Sequence, residues 1–134
     1  MIVVDTNTIA YFYIQGPRTG QAEKVWTKDS EWIAPSIWKS EFISILALCF
    51  RQGTLSFDDA LLIAEEAQLL MQEREFDVQP AQVLQLVSRS KCSSYDCEFV
   101  ALAGDLHLPL ITSDRQILKE FPSIALSMED FVAH

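Results

Sequence analysis

The sequence predicts an α/β fold in three layers, with helices on both faces of a mostly parallel sheet. Short, near-continuous apolar runs recur along the 134 residues, as expected of strands buried on both sides. Longer segments with helical periodicity separate them, and Gly, Pro and Ser punctuate the joins. Strand and helix alternate from end to end, the order that builds a parallel sheet through right-handed crossovers.

Residues 1–5 read as the first strand, built on Ile2, Val3 and Val4. Thr6 to Ile14 forms a short helix that buries Ile9, Phe12 and Tyr13, and Gly16-Pro17 breaks it. Residues 19–29 are helical, with Ala22, Val25 and Trp26 on one side, and Trp32-Ile33-Ala34 is the second strand. Pro35-Ser36 opens a helix to about Arg51 that Gly53 ends. Ser56-Phe57-Asp58-Asp59 has the form of a capping box and starts a helix to about Glu75. Phe76-Asp77-Val78 is a weak third strand, and Pro80 starts a helix to about Ser90. Ser93 to Asp96 caps the helix containing Phe99 to Ala103. Leu108 to Thr112 is the fourth strand, Asp114 to Phe121 a short helix, and Ile124 to Leu126 the fifth strand. Ser127 caps a last turn through Val132.

The length suits one domain, and 49% hydrophobic residues exclude a disordered chain. No apolar run approaches the ~18 residues a membrane span needs. The start lacks the basic segment of a secretory signal, and three cysteines without a Cys-x-x-Cys pair fit a reducing cytoplasm rather than a zinc site. Cys49 reads as a small hydrophobe. The net charge of −9 argues against tight, non-specific nucleic-acid binding. Much of the excess (Glu65, Glu66, Glu73, Glu75, Asp77) reads as a solvated face. Phe42, Leu46, Phe57 and Leu61 are expected mostly in the core, and Trp26, Trp32 and Trp38 as core or interface anchors. Arg18, Lys24, Lys28, Lys39 and Arg115 are candidates for a small basic rim, with scattered surface positions weighed at least equally.

Four acids share one address. Asp5 ends the first strand and Asp114 follows the fourth; Asp96 sits in the first turn of a helix, and Glu41 about one turn into the helix after strand two. Strand carboxyl ends and the starts of the following helices form one rim of such a sheet, so the four carboxylates can converge there. Gathered anions resist common ionisation. Mg²⁺ or Mn²⁺, which prefer oxygen ligands, relieve that conflict and can activate a water against a phosphodiester. Each acid also has a plainer use: Asp96 as complement to a helix N-terminus, Asp114 as a cap, Glu41 on a polar helix face. Asp5, directly after Ile2-Val3-Val4, is the hardest to explain that way.

Val3-Val4-Asp5-Thr6-Asn7, Ser40-Glu41, Tyr95-Asp96 with Val100-Ala101-Leu102-Ala103, and Ile111-Thr112-Ser113-Asp114 together resemble the ordered acidic motifs of PIN domains, in particular the small VapC-like toxins of toxin–antitoxin pairs. The resemblance spans residues 1–134 as a single PIN-like nuclease domain. It implies a sheet ordered 3-2-1-4-5 and a metal-dependent ribonuclease, usually dimeric and held inactive by a cognate antitoxin. Carried onto this sequence, Asp5, Asp96 and Asp114 hold Mg²⁺ or Mn²⁺, Glu41 completes the catalytic cluster, and Thr6 and Thr112 orient the acids. Glu98 departs from the pattern, since such toxins usually carry an apolar residue there.

The alternative is a non-catalytic PIN-like binding module that acts through protein association. Asp5-Thr6-Asn7-Thr8 also invites comparison with phosphatases using an aspartyl nucleophile, but Asn7 stands where their second acid works. A phospho-receiver domain fits poorly, for want of an acid pair at the first strand. His107 and His134 lack spaced partners for a metal site or a triad, and no Gly-rich phosphate loop is present.

Overall fold

The computed structural model describes all residues 1–134. Five strands form one sheet, all neighbours parallel, in the order β3-β2-β1-β4-β5. The strands are β1 (Ile2–Val4), β2 (Trp32–Pro35), β3 (Glu75–Phe76), β4 (Leu110–Ile111) and β5 (Ala125–Leu126). The helices are α1 (Thr6–Tyr13), α2 (Thr19–Lys28), α3 (Trp38–Arg51), α4 (Phe57–Met71), α5 (Pro80–Ser88), α6 (Ser94–Leu106), α7 (Arg115–Glu120) and α8 (Met128–Ala133). Helices cover both faces, so the expected three-layer α/β fold and strand order are those observed.

Burial on both sides explains why the strands lack polar alternation. Ile2, Val3, Val4, Trp32, Ile33, Ala34, Leu110 and Ile111 are all buried. α6 packs across β1, β2 and β4 and presents Phe99 to Ala103 to them, which is why that segment is apolar nearly all round. Phe12, Trp26 and Trp32 form an aromatic cluster with centroids 5.2–5.3 Å apart, and Trp38 packs against Phe42, so the tryptophans are anchors as expected.

Several boundaries move. Pro35 closes β2 instead of opening α3; a proline without an N–H is tolerated at the end of a ladder, and Ser36 supplies the next donor, to Phe76. β3 falls one residue earlier than expected because Ala34 registers with Glu75 and Pro35 with Phe76. α4 stops at Met71, and Glu73, at φ 66°, turns the chain back into β3. Gly53, at φ 77°, ends α3 in the left-handed conformation glycine adopts freely. His107 closes α6 in the same region at φ 56°, a backbone role rather than a ligand role.

The larger correction concerns α4. Phe42 and Leu46 are buried, but Phe57 is 60% exposed and Leu61 46%, because the buried residues of α4, Ala67 and Met71, lie in its C-terminal half. Cys49 is only half-buried. The difference is measurable by urea unfolding. Trp32→Ala should cost about 3–5 kcal/mol, whereas Phe57→Ser should fall within about 0.5 kcal/mol of wild type. A large loss from Phe57→Ser would return that residue to the core.

Candidate active site

In this sheet the chain runs outward from β1 through β2 to β3, and on the other side from β4 to β5. The order therefore reverses between β1 and β4, and in open α/β sheets a crevice opens beyond the strand carboxyl ends at such a point. A cavity of about 500 Å³ lies there, lined by Asp5, Glu41, Asp96 and Asp114 together. Four segments far apart in sequence thus bring their acids to one place.

Asp5 follows β1 and is 7% exposed. Its backbone N–H still donates to the Ile111 carbonyl at 3.2 Å, which ties it to β4. Its carboxylate is the N-cap of α1: Oδ1 accepts from the Thr8 N–H at 2.9 Å and from Thr8 Oγ1 at 2.7 Å, while Oδ2 accepts from Thr112 Oγ1 at 2.5 Å. Burial pushes the Asp5 carboxyl above its ordinary range, these bonds oppose the rise, and Asp114 adds to it. Asp5 therefore does have a structural use, as a cap, but one that leaves a carboxylate facing the cavity.

Glu41 lies in the first turn of α3 and accepts from Thr6 Oγ1 at 2.7 Å through Oε1, leaving Oε2 without a protein donor. Burial raises its carboxyl, and the charges of Asp96, Asp5 and Glu98 raise it further. Glu98 does not line the cavity, but its charge reaches Glu41. Asp96 occupies the first turn of α6, whose N-cap is Ser93; its backbone N–H donates to Ser93 Oγ at 3.1 Å. Burial and then the Asp114 charge raise its carboxyl. Asp114 caps α7, accepting from the Ile117 N–H at 2.9 Å through Oδ1.

Thr112 links two of the acids. It is fully buried, donates to Asp5, and accepts from the Asp114 N–H at 3.0 Å. Thr6 and Thr112 thus stand where they can orient Glu41 and Asp5. Thr8, completely buried against Asp5, was missed as a third such hydroxyl. Its signal was local: a Thr three residues after a strand-ending Asp occupies the position a capping carboxylate reaches.

The donor set is all oxygen, and neither salt bridge of the protein involves any of the four acids. Hard oxygen donors without a compensating cation suit Mg²⁺ or Mn²⁺. No three His, Cys, Asp or Glu side chains are grouped closely enough to hold an ion directly. The residues therefore fit an ion that retains several of its waters, as Mg²⁺ does, better than a closed ligand cage.

The five candidate cations are scattered and form no rim at this cavity. Arg18 lies 3.8 Å from Glu129 and over the Tyr11 ring, Lys28 donates to the Phe131 carbonyl, and Lys24, Lys39 and Arg115 are not among the lining residues. Arg51 lines it instead, with Asn7, Ser44 and Leu48. Arg51 escaped notice because it reads as the end of a helix; helical spacing puts it near Glu41's face, but only the packing of α3 shows that this face lines the cavity.

The fold that places these residues recurs in known proteins. Ribonuclease VapC3 of Pyrobaculum aerophilum is 29% identical over 127 residues, covering 92% of this chain and 96% of that protein. The crystal structure of PAE2754 from Pyrobaculum aerophilum superposes with a TM-score of 0.78 at 16% identity, covering 98% of this chain and 93% of the other. That of FitAcB from Neisseria gonorrhoeae gives 0.74 at 18% identity, covering 96% and 99%. A structure of FitAB bound to a DNA fragment gives 0.71 at 17%, covering 96% and 95%. The sequence profile of the PIN domain matches residues 2–122, from the first strand through the helix that Asp114 caps, and the chain belongs to the PIN domain family.

Proposed function

We propose that the chain is a divalent-metal-dependent endoribonuclease, working as one nuclease domain over residues 1–134. Its role is that of the toxin of a cytoplasmic toxin–antitoxin pair. One observation carries the reading: four carboxylates from four segments line one cavity at the sheet's switch point, and none of them is in a salt bridge. The likeness to Ribonuclease VapC3 supports RNA as substrate.

Asp5, Asp96 and Asp114 are the residues that would hold Mg²⁺ or Mn²⁺, with Glu41 completing the cluster. When bound there, the ion would supply Lewis-acid stabilisation of phosphodiester charge and a water of lowered pKa. Asp5 is fixed by three hydrogen bonds, so it does not reorganise as charge develops. Thr112 sets the spacing of Asp5 and Asp114, and Thr6 holds one Glu41 oxygen so that the other faces the cavity.

Purified protein should cut single-stranded RNA with Mg²⁺ or Mn²⁺ and stop when a chelator is added. Inertness toward RNA under both metals would leave the binding-module alternative. Thr112→Val keeps the shape but removes the hydroxyl, and a loss of about 10–100-fold in kcat/KM is expected, as for outer-sphere partners of metal ligands. Unchanged kinetics would remove Thr112 from the site.

Apolar side chains left exposed on α3 and α4, including Phe50, Phe57, Leu61 and Leu69, support a protein partner, the cognate antitoxin or a second copy in a homodimer.

A further inference from the structure

Glu41, Ser44, Ile45, Leu48 and Arg51 recur at helical spacing along α3 and all line the cavity. The cavity is therefore a trough running the length of that helix, with acids at one end and Arg51 at the other. Arg51 is its only cation, is exposed, and makes no salt bridge in a protein of net charge −9. From Glu41 to Arg51 is ten residues, 51 minus 41, or about 15 Å along the axis at 1.5 Å per residue. The wall between them is small or apolar, at Ser44, Ile45 and Leu48.

We propose that Arg51 is a substrate-binding residue that holds a backbone phosphate of the RNA away from the bond being cut. The inference rests on the nuclease reading and deepens it. The span exceeds one internucleotide step, so the phosphate belongs to a nucleotide further along the strand. The uncharged wall between suits the face of a base. A guanidinium meets phosphate oxygens through paired N–H donors, which an ammonium does not. An acidic protein thus needs no broad basic surface: the cluster marks the scissile position and one arginine sets the register. The plainer use of Arg51, as a charge complementing the C-terminus of α3, involves no RNA and separates cleanly in the test.

The test compares the full-length wild type with Arg51→Ala and Arg51→Lys. Equilibrium binding of a fluorescein-labelled single-stranded RNA of mixed sequence is followed in chelator over a range of salt. Cleavage of the same RNA is followed in Mn²⁺. Loss of one phosphate contact should lower the slope of log K against log salt by about 0.7. Arg51→Ala should show that drop and a KM raised roughly tenfold with kcat within about twofold, the pattern of lost uniform binding. Arg51→Lys should restore the slope while recovering only part of the affinity. An unchanged slope in Arg51→Ala overturns the proposal, as does wild type that binds no RNA at low salt, or a loss confined to kcat. Cleavage that persists with no Arg51 effect sinks this inference alone. An Arg51-dependent slope without any cleavage sinks the nuclease reading and leaves the phosphate contact standing.

Discussion

Asp5→Asn is expected to reduce metal-dependent RNA cleavage by more than about 100-fold, the upper range for loss of a mere outer-sphere partner, while the metal-free protein becomes more stable at neutral pH. The two effects have opposite signs because one charge serves both. Asn matches Asp in shape, and its carbonyl oxygen can still accept from the Thr8 N–H and hydroxyl that cap α1. On its other side the amide N–H can donate to the Thr112 oxygen, which also accepts from the Asp114 N–H, so only the Thr112 hydroxyl proton gives up its partner. The negative charge is lost, and with it the ligand for a hard cation. Burial penalises that charge first, and Asp114 opposes it as well, so neutralising it relieves the fold. Cleavage at the wild-type rate would remove Asp5 from the chemistry. A clear fall in the metal-free melting temperature would show that the carboxylate is structural.

The metal-free protein should lose stability as pH rises from about 4 toward neutrality, and excess Mg²⁺ or Mn²⁺ should restore it. Asp5, Glu41 and Asp96 all have carboxyls raised above their ordinary range, chiefly by burial. A group raised in the folded state binds its proton more tightly there than in the unfolded chain. Its contribution is therefore complete below the unfolded value and disappears as pH climbs through the folded one. Glu120 and Glu129 have the opposite sign. Glu120 is held low by Gln116 and the Lys91 N–H, and Glu129 by its own backbone N–H; both lose their contribution only as pH falls through those lowered values. The window above the ordinary carboxylate range thus belongs to the cavity acids and to neighbouring Glu98, whose carboxyl burial also raises. Metal at a hundredfold excess over its Kd adds about 2.7 kcal/mol, roughly 10 °C in melting temperature for a chain of this size. Thermal scans in chelator and in Mn²⁺ across that range measure both. Stability that rises with pH in chelator, or no response to either ion, would contradict the anionic cluster as a cation site.

The site's acids were legible because a strand's end and a helix's start are local features. Ile2-Val3-Val4 followed by Asp5, and Leu110-Ile111-Thr112 before Asp114, place a carboxylate at the sheet's rim without any knowledge of neighbours. What they do there was less legible. Asp5 doubles as the cap of α1, and its partner Thr112 stands 107 residues away, so only the pairing of β1 with β4 joins them. The cationic side of the cavity was open in the sequence for a related reason. Residue type offers Arg18, Lys24, Lys28, Lys39 and Arg115 without saying whether they gather, whereas position on the lining face of α3 selects Arg51.

By itself the sequence determined the alternation of strands and helices, the parallel sheet, and the shared address of Asp5, Glu41, Asp96 and Asp114, since periodicity, caps and strand ends are written in neighbouring residues. Tertiary structure alone decided that Phe57 and Leu61 face solvent, that Thr112 bridges Asp5 and Asp114, and that Arg51 shares a trough with the acids. The physical reason is that an apolar or charged stripe fixes which face a helix would bury or present. What meets that face is set by how far the helix extends past the sheet and by strands brought together from distant parts of the chain.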